Sequence, residues 1–241
     1  RPGKLLAASE AELQQIVEAE RGAGAPVTPD GGVPTDEVLA AIRRHDVPAL
    51  RDLFQRSLLE RGLQALVSDL VAPLNVVIGE AWIRGELGVP EEHFYTEQVQ
   101  SLIRSAITNL RAATEPPRIM LTTAPEENHT LGLLMVEAMM RLDNVDAICF
   151  GAQMPVRDIA QAAIKQKMNI VALSFSSAFP VRQAIAGIRT LREALPPTVE
   201  LWVGGAGARD KLRNEAGVRV IRGIADVGPA VRAWRDAHAS H

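Results

Sequence analysis

The chain has 241 residues, 47% of them apolar, with a mean hydropathy of +0.03; that is enough apolar material for the cores of two modest domains. Twenty-six basic side chains against 29 acidic ones leave a formal net charge of −3, which is not the basic footprint of a DNA-reading surface, so any DNA contact would need another segment. No run of about eighteen apolar residues and no signal-peptide layout is evident, which indicates neither membrane insertion nor secretion and makes the cytoplasm the default compartment. The start at Arg1-Pro2-Gly3-Lys4, without a methionine, reads as a piece of something longer. Cys149, alone within Ala147-Ile148-Cys149-Phe150, reads as a small core residue with no catalytic role.

In chain order, one helix is expected at 9–21. A linker rich in Gly and Pro follows at 21–35, closing an N-terminal segment of residues 1–34. Thr35 and Asp36 are N-cap candidates for a helix with Val38, Leu39 and Ile42 on one face. The next helix, 46–61, spaces Leu50, Leu53, Phe54 and Leu58 by three and four residues, and Gly62 ends it. The third, 63–84, is apolar on more than one side, as the middle helix of a bundle would be, and Pro73 is placed to kink it. The fourth runs from Pro90 or Glu91 to about Ala113, opening with proline and two acids that suit a helix N-terminus. Short connections make these four helices an antiparallel bundle spanning 35–114.

At Pro116-Pro117 the period changes. Strands are expected at 118–122, 147–150, 169–173, 200–203 and 218–221, with helices at 131–142, 156–167, 181–194, 208–215 and 226–237. Strands that alternate with helices imply parallel pairing, so residues 115–241 are expected to form a five-stranded doubly wound sheet of the Rossmann-like α/β class. Such sheets bind ligands beyond the carboxyl ends of their strands.

The polar side chains at those ends are therefore the ones to weigh. After the first strand comes Ala124-Pro125-Glu126-Glu127-Asn128-His129-Thr130-Leu131-Gly132. A histidine two residues after a carboxylate can offer one ring nitrogen to a metal while the acid holds the other, with Glu127 as that partner. Gly132 would let the helix begin close to a bulky ligand. By spacing alone, a surface histidine beside a helix start is the commoner outcome of such a pattern. Strand three ends in Ser174-Phe175-Ser176-Ser177 and strand four in Gly204-Gly205-Ala206-Gly207, small residues that would leave a slot for a long flat group. Tight turns that need glycine would show the same residues. A dinucleotide is an alternative occupant, but the first strand lacks the G-x-G-x-x-G turn that cradles a pyrophosphate.

The run Glu127-Asn128-His129-Thr130-Leu131-Gly132, with the Ser-x-Ser and Gly-Gly elements, resembles the cobalamin-binding domain of methionine synthase and its relatives, where the pattern is Asp-x-His-x-x-Gly, Ser-x-Leu and Gly-Gly. The resemblance implies that His129 replaces the cofactor's own base on cobalt and that Glu127 and Ser174 orient it. It also implies that Ser174, Ser176, Gly204 and Gly205 line the displaced nucleotide tail. Two departures stand out: Glu127 replaces the aspartate, a mild change, and Ser176 replaces the leucine, which would loosen the tail pocket.

Trp82, followed after nine residues by Glu92-His93, resembles the signature of the CarH and LitR group of MerR-type regulators, which sense light through adenosylcobalamin; Gly79-Glu80-Ala81 and Gly85-Glu86-Leu87-Gly88-Val89 are similar too. This implies a bundle over the upper face of the corrin, with Trp82, Val89, Glu92 and His93 enclosing the adenosyl group. It further implies a homo-oligomer that is no enzyme, and DNA binding through a missing N-terminal domain of which Arg1-Pro2-Gly3-Lys4-Leu5-Leu6 would be the trailing edge. Ile83 departs from the pattern, since the best known members carry there a second histidine that caps cobalt after photolysis; for a bis-histidine light state His93 is then the remaining candidate on that face, although its role in the family is contact with the adenosyl group. Two alternatives compete: the corrinoid subunit of a methyltransferase, and an apo or bilin-carrying variant of the same sensor fold.

Overall fold

The computed structural model describes residues 35–239 except 112, 114, 209–211 and 213–214. The helix expected at 9–21 and the linker up to residue 34 lie outside the described residues. Two compact units divide between Asn109 and Leu110.

The first unit is helical. Helix α1 (Thr35–Arg43) buries Val38, Ala41 and Ile42, and Leu39, expected on that face, is only partly buried. Helix α2 (Val47–Ala65) is capped by Asp46, whose carboxylate accepts the Ala49 N–H at 3.1 Å. The helical regime breaks at Gly62, which takes φ 80° and ψ 171°, a conformation open to glycine. Beyond it the chain widens into a π-helical segment (Leu66–Val71) before α3 (Ala72–Ile83), and the Ala72 N–H reaches back to the Val67 carbonyl. Pro73 explains the widening: it has no N–H to close a regular turn, so the distortion expected there takes the form of a π turn. Val47–Ile83 as a whole is long and apolar enough to cross a membrane by length and composition, which the absence of an unbroken apolar run in the sequence had not indicated. Its apolar side chains Leu66, Val67, Leu70, Val71, Leu74 and Ile78 are nevertheless packed inside the bundle. Helix α4 (Val89–Thr108) starts with the Glu91 carboxylate accepting the Gly88 N–H at 2.9 Å, and it buries Tyr95, Val99 and Ile103 at four-residue intervals. It stops short of the expected residue 113.

The second unit is the parallel sheet. Strands β1 (Glu115–Thr123), β2 (Val145–Cys149), β3 (Ile170–Ser174), β4 (Glu200–Gly204) and β5 (Val218–Val220) lie in the order β2-β1-β3-β4-β5. Helices α5 (Leu131–Leu142), α6 (Val156–Lys165), α7 (Val181–Ala194) and α8 (Val227–His238) cover it. Side-chain alternation along β1 divides the core. Met120 packs with Ile159 and Ala163 of α6 and Ile188 and Leu191 of α7, whereas Ile119 and Leu121 pack with Leu133 of α5 and Val231 and Trp234 of α8. Burial on both faces is why these strands read as continuous apolar runs. The helix expected at 208–215 falls mostly outside the described residues; Ala208 is in a turn, and Leu212 and Glu215 are in bends.

The chain leaves β1 for β2 on one side and returns for β3 on the other, so the direction of winding reverses between β1 and β3. Ligands of doubly wound sheets bind at such a point. The last registered pairs there are Thr123 with Ser174 and Ser174 with Gly204.

Candidate functional site

The loop from β1 to α5 carries His129 to this switch point. Its ring Nδ1 lies 2.6 Å from Glu127 Oε1, and the same oxygen accepts the His129 backbone N–H at 3.0 Å. The two partners differ sharply in exposure: the His129 side chain is 63% exposed and that of Glu127 only 1%. A buried carboxylate thus grips the near edge of an imidazole whose body faces outward.

The second carboxylate oxygen, Oε2, accepts both the backbone N–H and the hydroxyl of Ser176, each at 2.8 Å. Burial raises the Glu127 carboxyl, but hydrogen bonds from the His129 ring, the His129 backbone and Ser176 outweigh it and hold the group below the usual carboxylate range. The Glu127 carboxylate is therefore charged at neutral pH and accepts from His129 and Ser176 alike.

Ser176 occupies a place that the sequence reading had divided differently. Ser174, expected to orient His129 together with Glu127, stands where a Cβ on Gly132 would come within 3.2 Å of its hydroxyl. Gly132 therefore lets the start of α5 approach Ser174. The glycines after β4 are likewise filled from within the protein. Gly205 has φ 89°, and a Cβ there would overlap the Phe175 carbonyl; one on Gly207 would overlap the Ser176 carbonyl. The Gly207 N–H donates to that Phe175 carbonyl at 3.0 Å, and Phe175 N–H donates to Gly204 O at 3.0 Å. Glycine is required here for close approach of two loops.

Thr123 went unremarked in the sequence. It is fully buried; its hydroxyl donates to the Glu127 carbonyl at 2.6 Å and accepts the Gln153 N–H at 2.8 Å. The available signal was two adjacent threonines at the end of an otherwise apolar strand.

In the bundle, Trp82 lies in the last turn of α3, half-buried, and its carbonyl accepts the Gly85 N–H at 3.0 Å. Val89, 44% exposed, opens α4. In the next turn Glu92 accepts from the Thr96 hydroxyl at 2.9 Å and contacts His93 Nδ1 at 2.5 Å, with His93 largely exposed. The short α3–α4 connection gathers all four residues at one end of the bundle.

Two family models, each described as a B12-binding domain, match the chain, one over residues 35–106 and the other over 117–231. Helical bundle and parallel sheet thus define a B12-binding protein, with cobalamin as its ligand. The chain is 30% identical over 204 residues to the HTH-type transcriptional repressor CarH of Myxococcus xanthus, covering 82% of this chain and 67% of the repressor. It is 26% identical over 127 residues to the repressor CarA of the same organism, covering 53% and 44%. The chain belongs to the family of B12-binding transcriptional repressors that includes CarH. Its fold is also that of the Methanosarcina barkeri monomethylamine corrinoid protein, with a TM-score of 0.67 at 17% identity over 81% of this chain and 96% of that one.

Proposed function

We propose that this chain is the photosensory part of a transcriptional regulator, that adenosylcobalamin is the form it binds, and that His129 is the lower ligand of cobalt. The observation that supports this most directly is the buried Glu127 carboxylate on His129 Nδ1. A carboxylate that can only accept keeps the proton on Nδ1, which leaves the lone pair on Nε2 as metal ligation requires. Among the described residues no three His, Cys, Asp or Glu side chains gather into a metal site. A lone imidazole suits a metal that brings its remaining ligands with it, as the cobalt of a corrin does. The residues present therefore fit the group.

Cobalamin, when bound, supplies a cobalt–carbon bond that light can cleave. The chain's own residues do the rest. His129 would hold cobalt, oriented by Glu127; Gly132, Ser174, Ser176 and Gly204 would line the nucleotide tail, while Gly205 gives its space to the Phe175 backbone and so shapes that lining from behind; Trp82, Val89, Glu92 and His93 would contact the adenosyl group. Trp82, Val89, Glu92 and His93 would pack differently with and without that group, and the bundle would then favour one of two arrangements. The shift changes the homo-oligomer, and with it DNA binding by a segment outside residues 1–241. On this reading the chain catalyses no reaction.

Reconstitution with adenosylcobalamin in darkness, followed by green light, tests this through absorption and size-exclusion chromatography. Stable binding, a photolysis spectrum and a change in size are expected. Photolysis with no change in size would favour a corrinoid carrier for methyl transfer, and His129→Ala with unchanged spectrum and affinity would remove the ligand assignment.

A further inference from the structure

We propose that Thr123 is a positioning residue for His129, its buried hydroxyl joining the loop that carries Glu127 and His129 to the loop that carries Gln153. The proposal rests on His129 being the cobalt ligand, and it adds a residue that the cobalamin reading does not use.

A threonine hydroxyl has one proton, so its two contacts have fixed directions. The proton goes to the Glu127 carbonyl at 2.6 Å, and the oxygen receives the Gln153 N–H at 2.8 Å. The Glu127 N–H is tied in turn to the Ala124 carbonyl at 3.1 Å. Both backbone polar groups of Glu127 are thus anchored before its side chain reaches out, and the carboxylate that holds the His129 ring swings from a fixed root.

The far side of the hydroxyl is equally fixed. The loop after β2 hangs on the end of β1 through further bonds: Phe150 N–H to the Leu121 carbonyl at 2.8 Å, Met154 N–H to the Thr123 carbonyl at 3.2 Å, and the Thr122 hydroxyl to the Gly151 carbonyl at 2.9 Å. Each loop contains one non-glycine residue in the left-handed region, Glu126 at φ 69° and Gln153 at φ 59°. Such conformations persist where surrounding bonds over-determine them, and they concentrate at sites that must hold a shape. Thr123 is bonded to both loops through its one hydroxyl. Thr122, its neighbour, reaches the Gly151 carbonyl at 2.9 Å and the Thr123 carbonyl at 3.5 Å with its hydroxyl, so the pair provides an internal comparison.

The test compares Thr123→Val, Thr123→Ser and Thr122→Val in the full chain. Two quantities are read: the tautomer of the His129 ring in the ligand-free protein, from ¹⁵N NMR, and the dissociation rate of adenosylcobalamin in darkness. In the starting protein the Nδ1–H tautomer should dominate. Thr123→Val should mix the tautomers and release cobalamin about tenfold faster, the scale seen when a group behind a metal ligand is lost. Thr123→Ser, which keeps the hydroxyl, should restore both. Thr122→Val should lower thermal stability and leave both unchanged.

The proposal is overturned if Thr123→Val keeps tautomer and retention, or if Thr122→Val moves them equally. Should Thr123→Val not fold, Thr123→Ala makes the same comparison without forcing a methyl against two polar groups. The tautomer is read without cofactor, so it stands even if His129→Ala shows that histidine is not the cobalt ligand.

Discussion

Glu127 Oε2 accepts two hydrogen bonds from one residue 49 positions away, the N–H and the hydroxyl of Ser176, while its Oε1 holds the His129 ring. The carboxylate therefore bridges the two loops on either side of the point where the sheet reverses its winding. A glutamate spans that gap with one methylene more than an aspartate, and shortening it forces a choice between the partners. Glu127→Asp is expected to keep contact with His129 or Ser176 but not both, and Glu127→Gln to lose the charge. Either change should weaken cobalamin binding by about 10- to 100-fold, measured by absorbance titration. Unchanged affinity in both would mean that the carboxylate is not needed to present His129.

The same bonds set a pH dependence. Burial raises the Glu127 carboxyl and the hydrogen bonds from His129 and Ser176 lower it further, for a net depression. A group depressed on folding contributes stability above its unfolded value, roughly pH 4 for glutamate, and that contribution is lost as pH falls through the folded value. Urea midpoints of the ligand-free protein should therefore drop as pH falls below about 4. The drop should be shallower in Glu127→Gln, and parallel profiles for the two proteins would count against a depressed Glu127.

Much of this architecture was legible because burial imposes period. Strands covered on both faces read as apolar runs, and helices α6 and α7 show one clear apolar stripe each. The π segment at Leu66–Val71 was not legible, because inserting one residue into a turn leaves neighbouring apolar spacings almost unchanged. The role of Ser176 was hidden for a different reason. Ser174 and Ser176 would share a face if β3 continued; only the chain's turn away after Ser174 separates them, and nothing local signals which serine meets a carboxylate 49 residues upstream. Glycine at 204–207 was legible as a need for space, but its use by the 175–176 peptide depends on tertiary approach.

That approach makes Gly205 and Gly207 sensitive positions. A Cβ at either would overlap a backbone carbonyl, and Gly205 also holds φ 89°. Backbone cannot yield as the end of a flexible side chain can, so Gly205→Ala and Gly207→Ala should each destabilise the sheet unit by about 2 kcal/mol or more. They should also loosen Ser176 from Glu127. Urea denaturation reads the first effect, and the amide shift of Ser176 in NMR spectra reads the second. Wild-type stability in both variants would mean that the loop after β4 can move aside at little cost.

In the bundle, Tyr95 is buried with its hydroxyl 2.7 Å from Asn75 Oδ1, joining α4 to α3. Tyr95→Phe keeps the ring and removes that donor, so a loss of about 1 kcal/mol is expected, with cobalamin ligation through His129 unaffected. A large change in the ligated spectrum would show that this bond reaches the cofactor.

Trp82 tests the division of labour between the two units. It lies half-buried in the last turn of α3, at the end of the bundle that also presents Val89, Glu92 and His93. Under the proposed assignment Trp82 acts on the ligand's upper group, whereas Glu127, Ser176 and Thr123, which arrange His129, all belong to the sheet unit. Trp82→Ala should therefore leave the His129-ligated spectrum intact and lower affinity for adenosylcobalamin more than for methylcobalamin, since the larger group loses more contact area. Titration with both forms separates the outcomes. An equal loss for the two would make Trp82 a packing residue of the bundle, whereas a lost ligation signal would tie it to the lower face and overturn the separation of roles.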